Sequence, residues 1–190
     1  MTTQPLPKPR LRDLGIILGE FQPGPINAIT DIPGILVGQC TLIQDAPAVA
    51  RTGVTAIFAR ADINRDYAYA AYHSFNGIGE MTGIPFLEET GLLTSPILLT
   101  NTYQFGLAHE ALTRYGAQKQ GGFIDKLSIV AETYDGWLND IRSFPLTEEH
   151  VVAALESASS GPVAEGNTGG GTGMICYEFV GESYRFRQRM

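Results

Sequence analysis

Residues 95–134 read SPILLTNTYQFGLAHEALTRYGAQKQGGFIDKLSIVAETY, and this stretch decides the fold class. "SPILLTNT" (Ser95–Thr102) is a short apolar run bounded by turn formers, the pattern of a buried strand. Ala108, Ala111, Leu112 and Tyr115 then fall at i, i+3, i+4 and i+7, one face of a helix, with Gly116 near its stop. "LSIVAETY" (Leu127–Tyr134) is a second strand, carrying a carboxylate at its end.

The alternation extends both ways along the chain. "ILVGQCTLI" (Ile35–Ile43) and "GVTAIFAR" (Gly53–Arg60) are strands rich in β-branched residues. "FNGIGEMTGIPFLEETG" (Phe75–Gly91) is ambiguous. Its glycines weaken a helix, and Pro85 disfavours helical backbone before it, so a break is expected near Ile84. "TEEHVVAALESAS" reads as a helix with Thr147 as N-cap and Glu148 and Glu149 in the first turn. Its inner stripe is Val151, Ala154, Leu155 and Ala158. "GMICYEF" (Gly173–Phe179) is the last strand, and the Pro- and Gly-rich first thirty residues form an extended arm with turns. The expectation is a single domain over 1–190, α/β or α+β, with helices packed on a sheet; spacing alone does not choose between the two.

Bulk composition narrows the function classes. The 190 residues are 44% hydrophobic and 17% charged, enough for one domain with a core. A net charge of −7 repels phosphate backbones and argues against a dedicated nucleic-acid binder. Cys40 and Cys176 each sit in an apolar run and read as buried reduced thiols. No segment reaches membrane-spanning length and the N-terminus lacks a signal-peptide apolar core, so a cytoplasmic protein without membrane contact is expected.

The glycine block "EGNTGGGTGMICYEF" (Glu165–Phe179) invites a phosphate reading, which its chemistry refuses. Gly171 is followed by Thr172 rather than the lysine of a phosphate loop. Cys176 stands where a dinucleotide fingerprint needs glycine, and the block follows a helix and precedes a strand, the reverse of the phosphate-binding order. It reads as backbone that turns sharply or lies against other backbone. His73, His109 and His150 are isolated, with His150 a solvated side chain in its helix, so no metal is expected. There is no GxSxG elbow. Self-cleavage before Thr172 would leave only 19 residues, Thr172–Met190, too few for a catalytic sheet.

"VAETYDGWLNDI" (Val130–Ile141) remains. It gathers Glu132, Asp135 and Asp140 with Tyr134, Trp137 and Asn139 just past a strand end, where α/β proteins place ligands. A carboxylate beside aromatics suits an ammonium group. The competing reading makes Asp135-Gly136 a turn, Trp137 a cap on the core and the acids solvated.

Five blocks in order carry a resemblance: "AITDIPGILVGQCT", "RTGVTAIFAR", "FNGIGEMTGIPFLEETGLLTSPILLTNTYQFG", "VAETYDGWLNDI" and "EGNTGGGTGMICYEF". From about Leu11 to Phe179 the chain resembles the DmpA-type aminopeptidases, which comprise L-aminopeptidase/D-esterases and β-peptidyl aminopeptidases. The resemblance implies a four-layer αββα sandwich, similar to N-terminal-nucleophile hydrolases and shared with ornithine acetyltransferase. It implies a self-processing serine aminopeptidase that acts on peptides, amides or esters through an acyl-enzyme, as an oligomer and without cofactor or metal. By resemblance, Glu132 grips the free amino group of a small peptide or amino-acid amide. Tyr134 lines the site as a possible oxyanion donor.

After Phe179 the pattern departs. No counterpart is found of the nucleophilic serine, the oxyanion asparagine or the Ser/Glu pair, and residues 180–190 form a divergent tail. The chain is therefore expected to be an incomplete sandwich, the N-terminal part of the larger subunit, inactive alone. It is expected to be oligomeric or to depend on a missing C-terminal subunit. The alternative is a non-catalytic binding or assembly protein built on the same scaffold.

Overall fold

The computed structural model describes residues 9–120, 127–175, 178–180 and 183–185. In chain order the strands and helices are β1 (Leu36–Gln44), β2 (Ala50–Phe58), β3 (Ala68–Tyr69), α1 (Ile84–Thr90), β4 (Leu92–Leu93), β5 (Ile97–Asn101), α2 (Phe105–Gln120), β6 (Ile129–Thr133), α3 (Glu148–Glu156), β7 (Glu178–Val180) and β8 (Ser183–Arg185). The main sheet has the order β1-β2-β5-β6. β1, β2 and β5 are antiparallel neighbours, whereas β5 and β6 run parallel, joined by a crossover through α2.

Strand alternation sorts the core onto one face. Ala56, Leu98 and Val130 are register partners across β2, β5 and β6. With Val54 they pack against Ala108, Ala111 and Leu112 of α2 and Val151, Ala154 and Leu155 of α3. These are the helical stripes read from the sequence. On the other face, register partners Ile97 and Ile129 meet Ile63, Leu93 and Met81, under the small β3–β4 pair. The described residues thus hold a helical layer and a sheet, mixed α/β, with short elements on the sheet's second face.

Several local expectations change. α2 (Phe105–Gln120) passes through Gly116 rather than stopping there, because a mid-helix glycine costs only ~1 kcal/mol when neighbouring turns are packed. The break near Ile84 is a helix start: Pro85 occupies the first turn of α1, where its missing N–H costs nothing. His150 is half-buried rather than solvated, and its Nδ1 accepts from the Thr147 N–H at 3.0 Å, closing the first turn of α3. Cys40 is free and half-buried at the margin of the core, and Cys176 lies outside the described residues.

The glycine block is a 3-10 turn, Gly169–Gly171, laid on the sheet's second face. A Cβ on Gly170 would come 2.5 Å from the Leu99 carbonyl oxygen, so only glycine lets these backbones touch. The N–H of Gly169 donates to Thr41 Oγ1 at 2.8 Å and that of Gly170 to Thr55 Oγ1 at 3.0 Å. Of the strand expected over Gly173–Phe179, Cys176 and Tyr177 lie outside the described residues. Gly173–Ile175 are turn and irregular backbone, and among the described residues β7 (Glu178–Val180) pairs with β8 rather than with the main sheet.

Candidate functional site

β5 and β6 end side by side, with Thr100 opposite Glu132 and Asn101 opposite Thr133. Alternation assigns Glu132 to the same side of β6 as Val130. It is half-buried, and its N–H donates to the Glu80 carbonyl at 3.1 Å. That bond belongs to a short edge segment along β6. Met81 bridges Ala131, and the Thr82 N–H donates to the Val130 carbonyl at 3.0 Å. Part of the ambiguous "GEMTG" run therefore covers the open edge of the strand bearing the candidate carboxylate. Among the described residues, Thr133 Oγ1 is one of two buried side-chain atoms without a hydrogen-bond partner, the other being Thr172 Oγ1. Alternation points the Thr133 hydroxyl to the face of β6 opposite the Glu132 side chain.

The loop after β6 is held from below. Leu138 and Asn139 donate their N–H groups to the Asp135 carbonyl, each at 3.0 Å, and the Asp140 N–H reaches the Val49 carbonyl at 2.9 Å. Asp135 is only 1% exposed. Its carboxylate accepts from Asn139 Nδ2 at 3.0 Å and from the Thr52 hydroxyl. Thr52 Oγ1 in turn accepts from Asn101 Nδ2 at 3.0 Å, and Asn101 Oδ1 takes the Tyr103 and Gln104 N–H groups at 3.1 Å each, at the entry to α2. Asn139 Oδ1 accepts from the Arg51 N–H at 3.1 Å. One buried polar chain thus ties the loop to β2, to the end of β5 and to the start of α2. Burial pushes the Asp135 carboxyl above its ordinary range, and the bonds from Thr52 and Asn139 oppose that rise.

Both expectations for this loop are partly corrected. Asp135-Gly136 is a turn, but Asp135 is buried, not solvated. Trp137 is 66% exposed and does not cap the core. Tyr134 is half-buried, its ring folded over Gly136. Sequence reasoning names Asn139 in this loop but misses its supporting partners Thr52 and Asn101, although an Asn at the junction of an apolar strand and a helix is a capping signal. An open depression of about 390 Å³ lies elsewhere, lined by residues such as Tyr72, His73, Glu88 and Gly91, and neither Glu132 nor Tyr134 borders it. Among the described residues no cluster of three His, Cys, Asp or Glu side chains could hold a metal ion, and no helix is long and apolar enough to cross a membrane.

Residues 27–182 match the sequence profile of Peptidase family S58. The chain belongs to that family. Two curated relatives are the β-peptidyl aminopeptidases BapA of Sphingosinicella microcystinivorans and Sphingosinicella xenopeptidilytica. The first is 43% identical over 91% of this chain and 45% of its own length, the second 44% identical over 94% and 46%. Among solved structures, a Burkholderia sp. β-aminopeptidase superposes with a TM-score of 0.83 at 48% identity, covering 90% of this chain and 49% of that one. The L-aminopeptidase D-Ala-esterase/amidase of Ochrobactrum anthropi, described as a prototype serine aminopeptidase with a variant Ntn-hydrolase fold, gives 0.78 at 44% identity, over 90% and 50%. The αββα-type fold inferred from the five sequence blocks is thus that of the S58 aminopeptidases. This chain spans about half the length of the relatives it matches.

Proposed function

We propose that these residues form the amine-recognising part of a serine aminopeptidase site, and that the 190 residues alone bind substrate without turning it over. The observation that carries this reading is the S58 match over residues 27–182, which spans the β6 end bearing Glu132 and the Tyr134 just past it. A substrate with a free N-terminal ammonium group pairs with the Glu132 carboxylate through charge-assisted hydrogen bonds. The Tyr134 phenol O–H donates a hydrogen bond to the carbonyl oxygen as negative charge develops there and keeps its proton. The attacking hydroxyl is a serine freed by self-cleavage, supplied by the part of the relatives' length that this chain does not span. Its oxygen bonds to the carbonyl carbon, the C–N bond breaks, the serine's hydroxyl proton goes to the leaving amine, and water then hydrolyses the acyl-enzyme to regenerate the hydroxyl.

Titrating the purified chain with glycinamide while recording the fluorescence of Trp137, the only tryptophan, reads binding directly. The proposal expects saturable binding that Glu132→Gln abolishes, with no release of p-nitroaniline from amino-acid p-nitroanilides. Equal binding by Glu132→Gln would remove the role of Glu132, and turnover by the purified chain would remove the dependence on a missing part.

A second reading, an assembly protein on the same scaffold, is favoured by the exposure of Phe21 (90%), Phe75 (68%) and Ile78 (69%). It expects stable oligomers in light scattering with no amine binding.

A further inference from the structure

The turn after β6 contains a glycine that its backbone does not require. Gly136 is absent from the residues with positive φ, so a larger residue would not strain the chain there. What glycine provides is a seat. A Cβ on residue 136 would lie 2.8 Å from the Tyr134 hydroxyl oxygen, 2.9 Å from its Cζ and 3.3 Å from Cε2. The polar end of the phenol therefore rests over the bare Cα of Gly136.

The floor of that seat is rigid. Asp135, immediately before Gly136, is buried and bonded to Thr52 and Asn139, and the Leu138 and Asn139 N–H groups close the turn onto the Asp135 carbonyl. An added methyl cannot push this backbone away cheaply, because doing so breaks several buried hydrogen bonds. The free end of the tyrosine must move instead. Because Tyr134 stands two residues from Glu132, the displacement changes where the phenol meets a substrate held by that carboxylate.

We infer that Gly136 is a positioning residue: its missing side chain seats the Tyr134 phenol at the distance from Glu132 at which a bound substrate's carbonyl is met. This rests on the amine-recognition reading above, and it adds a specificity element to the same site. A methyl at 136 displaces the hydroxyl by several tenths of an ångström at least, since contacts under 3 Å are not sustained. A displacement approaching 1 Å is enough to cost a reaction about a hundredfold where geometry is demanding.

The experiment uses the full 190-residue chain with ring-labelled tyrosine. The Tyr134 signal is assigned by its loss in Tyr134→Phe. Gly136→Ala is expected to shift that signal while leaving the other assigned tyrosine signals and cooperative unfolding in place. An unmoved Tyr134 signal in the folded variant would overturn the inference. In parallel, glycinamide affinity is measured in a four-variant cycle of Gly136→Ala and Tyr134→Ala. Gly136→Ala is expected to weaken binding about two- to tenfold, the worth of one hydrogen bond, only when Tyr134 is present. Equal weakening in both backgrounds would show that Gly136 acts without the phenol and would also overturn it. If glycinamide does not bind the unsubstituted chain, the amine-recognition reading falls, and the ring displacement still decides whether Gly136 seats Tyr134. If Gly136→Ala fails to fold, Tyr134→Ala/Gly136→Ala decides: restored folding supports the steric seat, and continued failure refutes it.

Discussion

Replacing Asp135 by alanine removes the acceptor on which the loop after β6 depends. In the folded chain this carboxylate is 1% exposed and receives hydrogen bonds from Thr52 and Asn139. Both donors sit in buried surroundings, with Thr52 at 0% and Asn139 at 5% exposure, so water does not readily replace the lost partner. An orphaned buried polar group costs roughly 1–3 kcal/mol. Two of them cost roughly 2–6 kcal/mol, reduced by the relief of no longer burying a carboxylate. Urea unfolding followed by circular dichroism reads this directly. With a slope of about 2 kcal/mol per molar urea, the midpoint should fall by roughly 1–3 M. A fall below about 0.3 M would mean that Thr52 and Asn139 find other partners at once, and the view of Asp135 as the anchor of the site loop would be wrong.

Asp135→Asn separates the charge from the shape. Burial raises the Asp135 carboxyl in the folded state, so the folded chain holds its proton to higher pH than the unfolded chain does. Its stabilising contribution is therefore full below the unfolded value of about 3.9 and is lost as pH rises through the raised folded value. Asp135→Asn should flatten that decline in urea midpoints measured across the acidic range, and an unchanged decline would assign it to other groups. Gly170→Ala drives a methyl to 2.5 Å from the Leu99 carbonyl oxygen; a loss of about 1–3 kcal/mol by the same urea assay is expected, and an unaltered midpoint would mean the glycine turn does not lie on the sheet as described.

How much was legible follows from the range of each interaction. The β5–α2–β6 unit could be read because a short apolar run, a 3.6-residue stripe and a second apolar run are local patterns that the core then satisfies without conflict. Val54, Leu98 and Val130 all reach the helical face that the stripes of α2 and α3 predict. The glycine block could be read as close backbone contact, though not which strands it touches. The burial of Asp135 was hidden. Asp-Gly read locally is an exposed turn, and the partner that reverses this, Thr52, together with the Asn101 amide that holds it, belongs to β2 and β5, distant in sequence and brought in only by sheet order. Trp137 misled for a similar reason: an aromatic beside an apolar strand suggests a core cap, yet the hydrogen bonds that close the turn leave its ring at the surface. The edge segment at Met81 was illegible because a single bridge to Ala131 leaves no periodic trace.

The central claim is that Glu132 recognises a substrate ammonium group. Calorimetric titration of the purified chain with glycinamide, beside Glu132→Gln and with N-acetylglycinamide as the uncharged control, tests it most directly. The account predicts saturable binding of glycinamide alone, abolished by Glu132→Gln with the unfolding midpoint unchanged. Equal affinity for the acetylated compound, or undiminished binding by Glu132→Gln, would contradict it.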